Sequence, residues 1–261
     1  MKRGFFMEIT PYYQKSIECL HCKKQFKTTK VRSKFVKVDS YTSDFQPIYQ
    51  NKEINPLLYN IFVCNHCGFS FTEEFSKYFA PGMNDEIQKK IANKWVPRSY
   101  GNERSIDDGI NTYKLGIFCG TIKKEKSINI AGLALRTAWL YRLQQKHADE
   151  RRFIGIARDR YADSYSSGDF SGTQMSETRV LYLIAELSRR IGDVEYAIRY
   201  FSKVIEKQST SLEPKIVEMA KDRWQEIRDN KNKSASAYLC PDRQMGREGI
   251  LSTPHPVATD A

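Results

Sequence analysis

The fold of the N-terminal third of the chain is decided by two stretches, Cys19-Leu20-His21-Cys22-Lys23-Lys24-Gln25-Phe26 and Cys64-Asn65-His66-Cys67-Gly68-Phe69-Ser70-Phe71. Each contains a C-x-x-C pair with an aromatic residue four positions after its second cysteine. In such a knuckle the backbone turns tightly, and Gly68 suits a turn that needs a positive φ. The two stretches therefore predict a matched pair of knuckles that bring four sulfurs together.

Four clustered thiolates form the ligand set of a tetrahedral Zn²⁺ ion. We expect one structural zinc per chain, bound by Cys19, Cys22, Cys64 and Cys67, because a catalytic zinc keeps an open position for water. An iron–sulfur cluster uses the same ligands and stays an alternative, as do four ordinary buried thiols. The 41 residues between the two pairs exceed the usual spacing, so this insert is expected to hold strands of its own.

The remaining histidines and cysteines near these motifs have simpler interpretations. His21 and His66 each directly precede a cysteine, and neighbouring side chains rarely both reach one ion, so we expect both at the surface. Cys119 falls on an apolar helical face and is expected in the core rather than as a nucleophile. Cys240 is interpreted as an incidental thiol in the C-terminal tail.

Composition limits the class of protein. Of 261 residues, 40% are hydrophobic and 12% aromatic, which is enough for a sizeable core and excludes wholesale disorder. The chain lacks an apolar run of about 18 residues, which excludes a membrane-spanning helix, and no signal peptide is recognisable. We therefore expect a cytoplasmic protein without a membrane partner, whose thiols stay reduced.

The order of sequence patterns predicts an α+β fold with a small zinc-ribbon-like β module before an α-helical array. We place an N-terminal leader at residues 1–18, the zinc-ribbon-like module at 19–80, a tetratricopeptide-like helical domain at 81–230, and a disordered tail at 231–261. Within the module, residues 28–38 alternate polar and apolar side chains and predict one strand, and residues 60–63 predict another. The turn-rich stretch from Asp39 to Asn55 is expected to connect them.

The helical region carries several start signals. Ser105 and Asp108 form an S-x-x-D capping box, and Asn84 and Ser127 are expected to cap two further helices. Residues 178–208 have two apolar faces separated by Gly192-Asp193, which predicts a helix–turn–helix hairpin. Its small and aromatic positions are similar to those of a tetratricopeptide repeat, although Ser188 stands where that repeat usually has an aromatic residue.

The chain resembles the uncharacterised bacterial family called domain of unknown function 2225. The resemblance covers roughly residues 17–230 and rests on segments 18–22, 30–33, 54–59, 64–68, 135–142 and 186–192. Leu20 and Asn65 stand where the family knuckles often have proline, which alters the turn but not the ligands. The resemblance implies a cytoplasmic zinc ribbon followed by repeat helices, and it implies no activity.

The basic charge suggests one possible partner. The chain has 42 Lys and Arg against 31 Asp and Glu, and residues 19–37 contain seven basic side chains and no acid. On a strand, Lys30, Arg32 and Lys34 would share one face and could contact the phosphates of a nucleic acid. A solvated edge strand protected by lysines explains the same pattern.

Two functions therefore stay open. Enzyme signatures are missing, since neither a G-K-[ST] phosphate loop nor a G-x-S-x-G elbow occurs. We expect a non-enzymatic zinc-binding adaptor that recruits a protein or peptide through stacked helical hairpins. Its candidate partner-binding residues are Tyr182, Glu186, Arg189 and Arg190. The alternative is a zinc-ribbon nucleic-acid-binding protein with a regulatory or RNA-related role.

Overall fold

A computed structural model describes residues 9–238 of the chain. In this part, six short strands precede seven α-helices, and the strands pair as three separate antiparallel hairpins. The strands are β1 (Tyr12–Glu18), β2 (Gln25–Val31), β3 (Val38–Tyr41), β4 (Pro47–Tyr49), β5 (Phe62–Val63) and β6 (Ser70–Phe71). The predicted α+β class, with a small β region before a helical region, is confirmed.

The helices follow without further strands in the described residues. They are α1 (Met83–Lys90), α2 (Ile106–Lys123), α3 (Ser127–Leu143), α4 (His147–Ser167), α5 (Glu177–Ile191), α6 (Val194–Glu206) and α7 (Pro214–Tyr238). None of these helices is both long enough and apolar enough to cross a membrane.

Each C-x-x-C pair forms the tip of a β-hairpin. β1 and β2 pair from Glu18 opposite Gln25, directly on either side of the first knuckle. β5 and β6 pair with Val63 opposite Ser70, directly on either side of the second. Strand pairing therefore fixes the position and direction of both knuckles.

Three predictions about the β region were wrong. Residues 12–18 of the expected leader form β1. This strand is exposed along much of its length, and its mostly polar sequence gives no strand signal. The strand predicted over 28–38 ends at Val31 and is followed by a 3₁₀ turn, Ser33–Phe35. The expected connector 39–55 contains most of the β3–β4 hairpin, because a polar two-stranded ribbon lacks the apolar alternation of a buried strand.

Of the three predicted helix caps, at Ser105, Ser127 and Asn84, only the first is confirmed. The capping box at α2 is confirmed, since the Ser105 side chain accepts from the Asp108 amide and Asp108 accepts from the Ser105 amide. Ser127 is the first residue of α3 and does not cap it. Asp169 replaces it, because its carboxylate accepts from the Ser127 amide at 2.6 Å. Asn84 also lies inside its helix, which begins at Met83 after Gly82.

The predicted C-terminal hairpin is confirmed as a helix–turn–helix. Gly192 has a φ of 88° and ends α5, and the Asp193 side chain accepts from the Tyr196 amide to begin α6. α7 starts at Pro214 as expected, but it continues to Tyr238, so residues 231–238 are helical rather than disordered. The remaining tail predictions, including Cys240, lie outside the described residues, as do residues 1–8 of the leader.

The β region and the helices share one continuous apolar core. Helix α2 approaches the β region closely at glycines: a Cβ on Gly109 would lie 2.6 Å from Leu58, and one on Gly120 would lie 2.9 Å from Phe75. Because the side chains there leave no room for a methyl group, these glycines let α2 serve as the support on which both the second knuckle and the later helices pack.

Candidate metal centre and its surroundings

The four cysteines of the two knuckles meet in one cluster. The Sγ atoms of Cys19, Cys22, Cys64 and Cys67 all lie within 4.8 Å of one another. Cys19 Sγ is 3.6 Å from Cys67 Sγ, and Cys22 Sγ is 3.7 Å from Cys64 Sγ, and both contacts join one knuckle to the other. These distances are far too long for a disulfide bond, which is about 2.05 Å. The cluster can hold one metal ion between the two hairpin tips.

The two knuckles use the same backbone turn. In the first, the Lys23 amide donates to Cys19 O and the Cys19 amide donates to Lys24 O. In the second, the Gly68 amide donates to Cys64 O and the Cys64 amide donates to Phe69 O. The residue after the second cysteine is left-handed in both, with φ values of 61° at Lys23 and 72° at Gly68. The positive φ predicted for Gly68 is therefore present in both turns.

Aromatic rings surround the sulfurs. Phe71 stacks on Phe69 with centroids 5.8 Å apart, and Phe26 meets Phe71 edge-on at 6.4 Å, so the aromatic residues of the two matched tails touch. Trp95 lies over Gly68 and donates its indole N–H to Asn65 O at 3.0 Å. This apolar cover limits the access of water to the sulfurs on the side of the second knuckle.

The electrostatics of the cluster favour a bound cation. Hydrogen bonding to Cys19 and Cys64, together with burial, raises the pKa of the Cys67 thiol above its usual value. The thiols of Cys19 and Cys67, whose pKa values are both raised, therefore resist ionising beside Cys64 unless a positive charge lies between them. A metal ion supplies that charge and converts the thiols to thiolates.

The other cysteine and the two histidines lie around the cluster rather than in it. Cys119 is fully buried on α2, its pKa is raised to about 12 by burial, and it accepts from the Ser70 amide at 3.2 Å. This placement agrees with a core thiol. His21 reaches Asn84 and Gln88 of α1, and exposed His66 lies 3.3 Å from Gln25 O.

The three residues of the predicted basic stripe do not share a strand. Lys30 is on β2 and its Nζ lies 3.7 Å from Glu73, while Arg32 follows the strand and Lys34 is in the 3₁₀ turn. The exposed Arg32 and Lys34 sit over the rings of Tyr13 and Phe35 respectively. Among residues 9–238, neither is neutralised by an ion pair. Their role in binding nucleic acid stays a prediction.

Three of the predicted partner-binding residues, Tyr182, Glu186 and Arg190, contact the protein's own β3–β4 hairpin, and Arg189 pairs with Glu186. We call residues 42–46, which join β3 to β4, the hairpin tip. We call the surface that receives it the α3–α5 groove, formed by Trp139, Arg142, Arg179, Tyr182, Glu186, Arg189 and Arg190. Tyr182 and Glu186 are fully buried, and Arg189 and Arg190 both donate to Glu186. In this arrangement the hairpin tip takes the place expected for a partner.

Asp44 of the hairpin tip was missed by the sequence interpretation. It is fully buried and lies 2.7 Å from Arg142 and 3.3 Å from Arg190. Burial alone would raise the pKa of Asp44, but the hydrogen bond from Arg142 and the two guanidinium charges outweigh it and lower the pKa. The available signal was Trp139 and Arg142, two side chains with polar ends three residues apart on a mostly apolar helix.

The comparisons with known proteins identify a family and no activity. The family model described as "Uncharacterized protein conserved in bacteria (DUF2225)" matches residues 12–227, and the chain belongs to this family. No curated protein and no solved structure matches the chain.

Proposed function

We propose that this member of an uncharacterised bacterial family is a non-enzymatic, cytoplasmic zinc-binding adaptor that recruits a protein or peptide partner through its helical region. The observation that carries the proposal is the α3–α5 groove, which holds a protein turn through hydrogen bonds and ion pairs. A surface that binds such a turn within the chain has the chemistry required to bind one from another protein.

The metal part of the proposal rests on sulfur geometry. Four sulfurs about 2.3 Å from one tetrahedral zinc lie about 3.8 Å from each other. The distances of 3.6 Å and 3.7 Å between the knuckles match this value. A cluster with several irons binds its cysteines to different iron atoms and so needs wider spacing. Four cysteine ligands leave no position for a reacting water, so we assign the ion a structural role.

Elemental analysis of purified protein tests which metal is bound and in what amount. We expect one zinc per chain and no acid-labile sulfide, and replacement of zinc by Co²⁺ should give the visible spectrum of a tetrathiolate site. Iron and sulfide in equal amounts would instead assign an iron–sulfur cluster. A protein that folds fully with no bound metal would contradict both.

Affinity purification from native cells, with and without nuclease, tests the adaptor role. We expect a specific protein partner to remain bound after nuclease treatment. The wild-type chain should be compared with a variant whose groove is altered, Arg142→Gln. A folded wild-type protein that recovers no specific partner would contradict the role.

One observation favours nucleic-acid binding as a second candidate. Arg32 and Lys34 are exposed, and no acid of the described chain pairs with either. If both contact phosphates, the logarithm of the affinity falls linearly with the logarithm of the salt concentration. Lys34→Ala should then lower that slope by about one unit on duplex DNA, whereas Lys94→Ala, on a different segment, should leave it unchanged. Absence of micromolar binding at low salt would remove this candidate.

A further inference from the structure

The β3–β4 hairpin is attached to the rest of the protein through its tip and through Tyr49 of β4, which packs partly buried against the core. Its two strands pair only with each other and join neither of the other two sheets. Tyr41 and Ile48, beside the tip, are 64% and 38% exposed. Asp44 and Gln46 of the tip are in contrast buried. The position of the tip therefore depends on what the α3–α5 groove recognises.

The groove recognises a carboxylate. Asp44 accepts from the Trp139 indole at 3.1 Å and from two nitrogens of Arg142 at 2.7 Å and 3.1 Å. A nitrogen of Arg190 lies 3.3 Å from Asp44 Oδ1. Donors from α3 and α5 thus surround one side chain, an arrangement that selects a charged, planar acceptor.

The groove also recognises the backbone turn beside that carboxylate. Tyr182 donates its hydroxyl to Ser43 O at 2.9 Å, and the Ser43 hydroxyl donates to Glu186 at 2.6 Å. The turn is closed by Thr42, whose amide donates to Gln46 O and whose carbonyl accepts from Phe45 N. A compact turn, rather than an extended strand, fits this surface.

An aromatic ring completes the recognition. The Phe45 ring lies 5.3 Å from the Tyr182 ring, and the Arg179 guanidinium also lies 5.3 Å from the Phe45 ring. Phe45 has a left-handed backbone with a φ of 64° and directly follows Asp44. The groove therefore binds acid and aromatic in adjacent positions.

The charges of the groove are balanced only when an acid is bound. Without Asp44, the connected set contains Arg142, Arg189 and Arg190 against Glu150 and Glu186, which leaves one positive charge in excess. All three arginine side chains are at most 30% exposed, so solvent compensates an unpaired guanidinium only in part. The groove thus requires a carboxylate, but nothing in these contacts requires that it come from residue 44.

We propose that the α3–α5 groove is a docking site for a partner protein's turn in which an acidic residue is followed by an aromatic one, and that the hairpin tip is a competing ligand within the chain. This inference rests on the proposed adaptor function and specifies the partner's chemistry. Removal of the tip alone would leave a guanidinium unpaired, but replacement of Asp44 by a partner's carboxylate preserves the ion pairs, so little net interaction is lost in the exchange. Because the tip is tethered nearby, its effective concentration is high, and it suppresses binding of weaker turns.

A cyclic peptide with the sequence of residues 38–49 provides the probe. Its binding should be measured by fluorescence anisotropy to the zinc-loaded wild-type chain and to a tip variant, Ser43→Gly/Asp44→Gly/Phe45→Gly. We expect the tip variant to bind at least tenfold more tightly than the wild type, because the competing ligand is gone. The same peptide with Asp44→Asn should bind the variant at least tenfold more weakly. Equal binding of the two peptides, or none, to a folded tip variant would overturn the proposal.

A second measurement, on the wild-type chain, tests the proposal if the tip variant does not fold. Excess cyclic peptide added to the wild-type chain should accelerate hydrogen exchange at residues 42–46, since the tip is displaced, while the Asp44→Asn peptide should not. Unchanged exchange at millimolar peptide would overturn the proposal. Either failure would remove the groove as the binding surface, whereas nuclease-resistant partner capture tests the adaptor role itself, so the failures of the two proposals are distinguishable.

Discussion

The knuckle at Cys19 and the knuckle at Cys64 have the same turn in different surroundings. In the first, Lys23 and Lys24 are exposed and Cys22 is half-buried, so solvent reaches the turn. In the second, Gly68 and Phe69 are buried, and Cys119 and Trp95 pack behind and above the turn. Matched hydrogen bonds thus define a knuckle, and the packing around it determines how much sequence variation it tolerates.

The difference has a physical origin in the chain. The second knuckle lies between β5 and β6, which contact α2 and so belong to the core of the helical region. The first lies between β1 and β2, a longer ribbon with alternating exposed residues. A bound ion would join a surface hairpin to one that the core already fixes. The following substitutions test this asymmetry.

The largest expected effect comes from removing a ligand. Cys64→Ser and Cys22→Ser should each lose the zinc and most of the roughly 10 kcal/mol that structural zinc binding contributes in apparent terms. We expect Cys64→Ser also to lose near-UV circular dichroism from the rings around the second knuckle, because its side chain is fully buried. Cys22→Ser should retain more of that signal.

Elemental analysis, near-UV circular dichroism and thermal unfolding measure these effects. Cys119→Ser is the matched control, since it removes a buried thiol outside the cluster and should retain one zinc per chain. Retention of a full equivalent of zinc by Cys64→Ser would contradict the four-sulfur site.

A smaller loss is expected at the residue after the second cysteine. A Cβ on Gly68 would lie 2.3 Å from the Trp95 ring, and its φ of 72° disfavours any side chain. Gly68→Ala should therefore reduce the free energy of unfolding by about 3 kcal/mol, from backbone strain and overpacking together. Lys23→Ala, at the equivalent position of the first knuckle, should change it by less than about 0.5 kcal/mol. Denaturant unfolding of zinc-loaded protein measures both, and equal losses would contradict the asymmetry.

The sequence predicted the chemistry of this region better than its architecture. Two C-x-x-C pairs with matched aromatic tails were sufficient to predict that the four cysteines lie together, because a knuckle is specified by local residues. The pairing of β1 with β2 was not predictable, since the polar β1 has no apolar alternation and is defined by its partner. Asp44 was missed for a similar reason: its burial depends on Trp139 and Arg142, almost a hundred residues later. Local signals do not encode such long-range contacts.

The left-handed backbone at Lys23 predicts that replacement by glycine there increases stability. Lys23 has a φ of 61° and is exposed, so glycine relieves strain there without removing a packed side chain. Lys23→Gly should increase the free energy of unfolding by about 0.5 kcal/mol, after the greater flexibility of glycine in the unfolded chain is subtracted. Lys24→Gly, at an exposed neighbour whose φ is not positive, should instead decrease it slightly. A loss of stability in Lys23→Gly would contradict the equivalence of the two turns.

The smallest effects are expected at the histidines that precede the second cysteine of each knuckle. Neither His21 nor His66 belongs to the sulfur cluster, so His21→Ala and His66→Ala should each retain one zinc per chain. His66 is exposed, and its replacement should change the free energy of unfolding by less than about 0.5 kcal/mol. His21 contacts Asn84 and Gln88 on α1, so its replacement should cost slightly more. Zinc stoichiometry and denaturant unfolding measure both variants, and loss of zinc in either would show that an imidazole replaces one of the four sulfurs as a ligand.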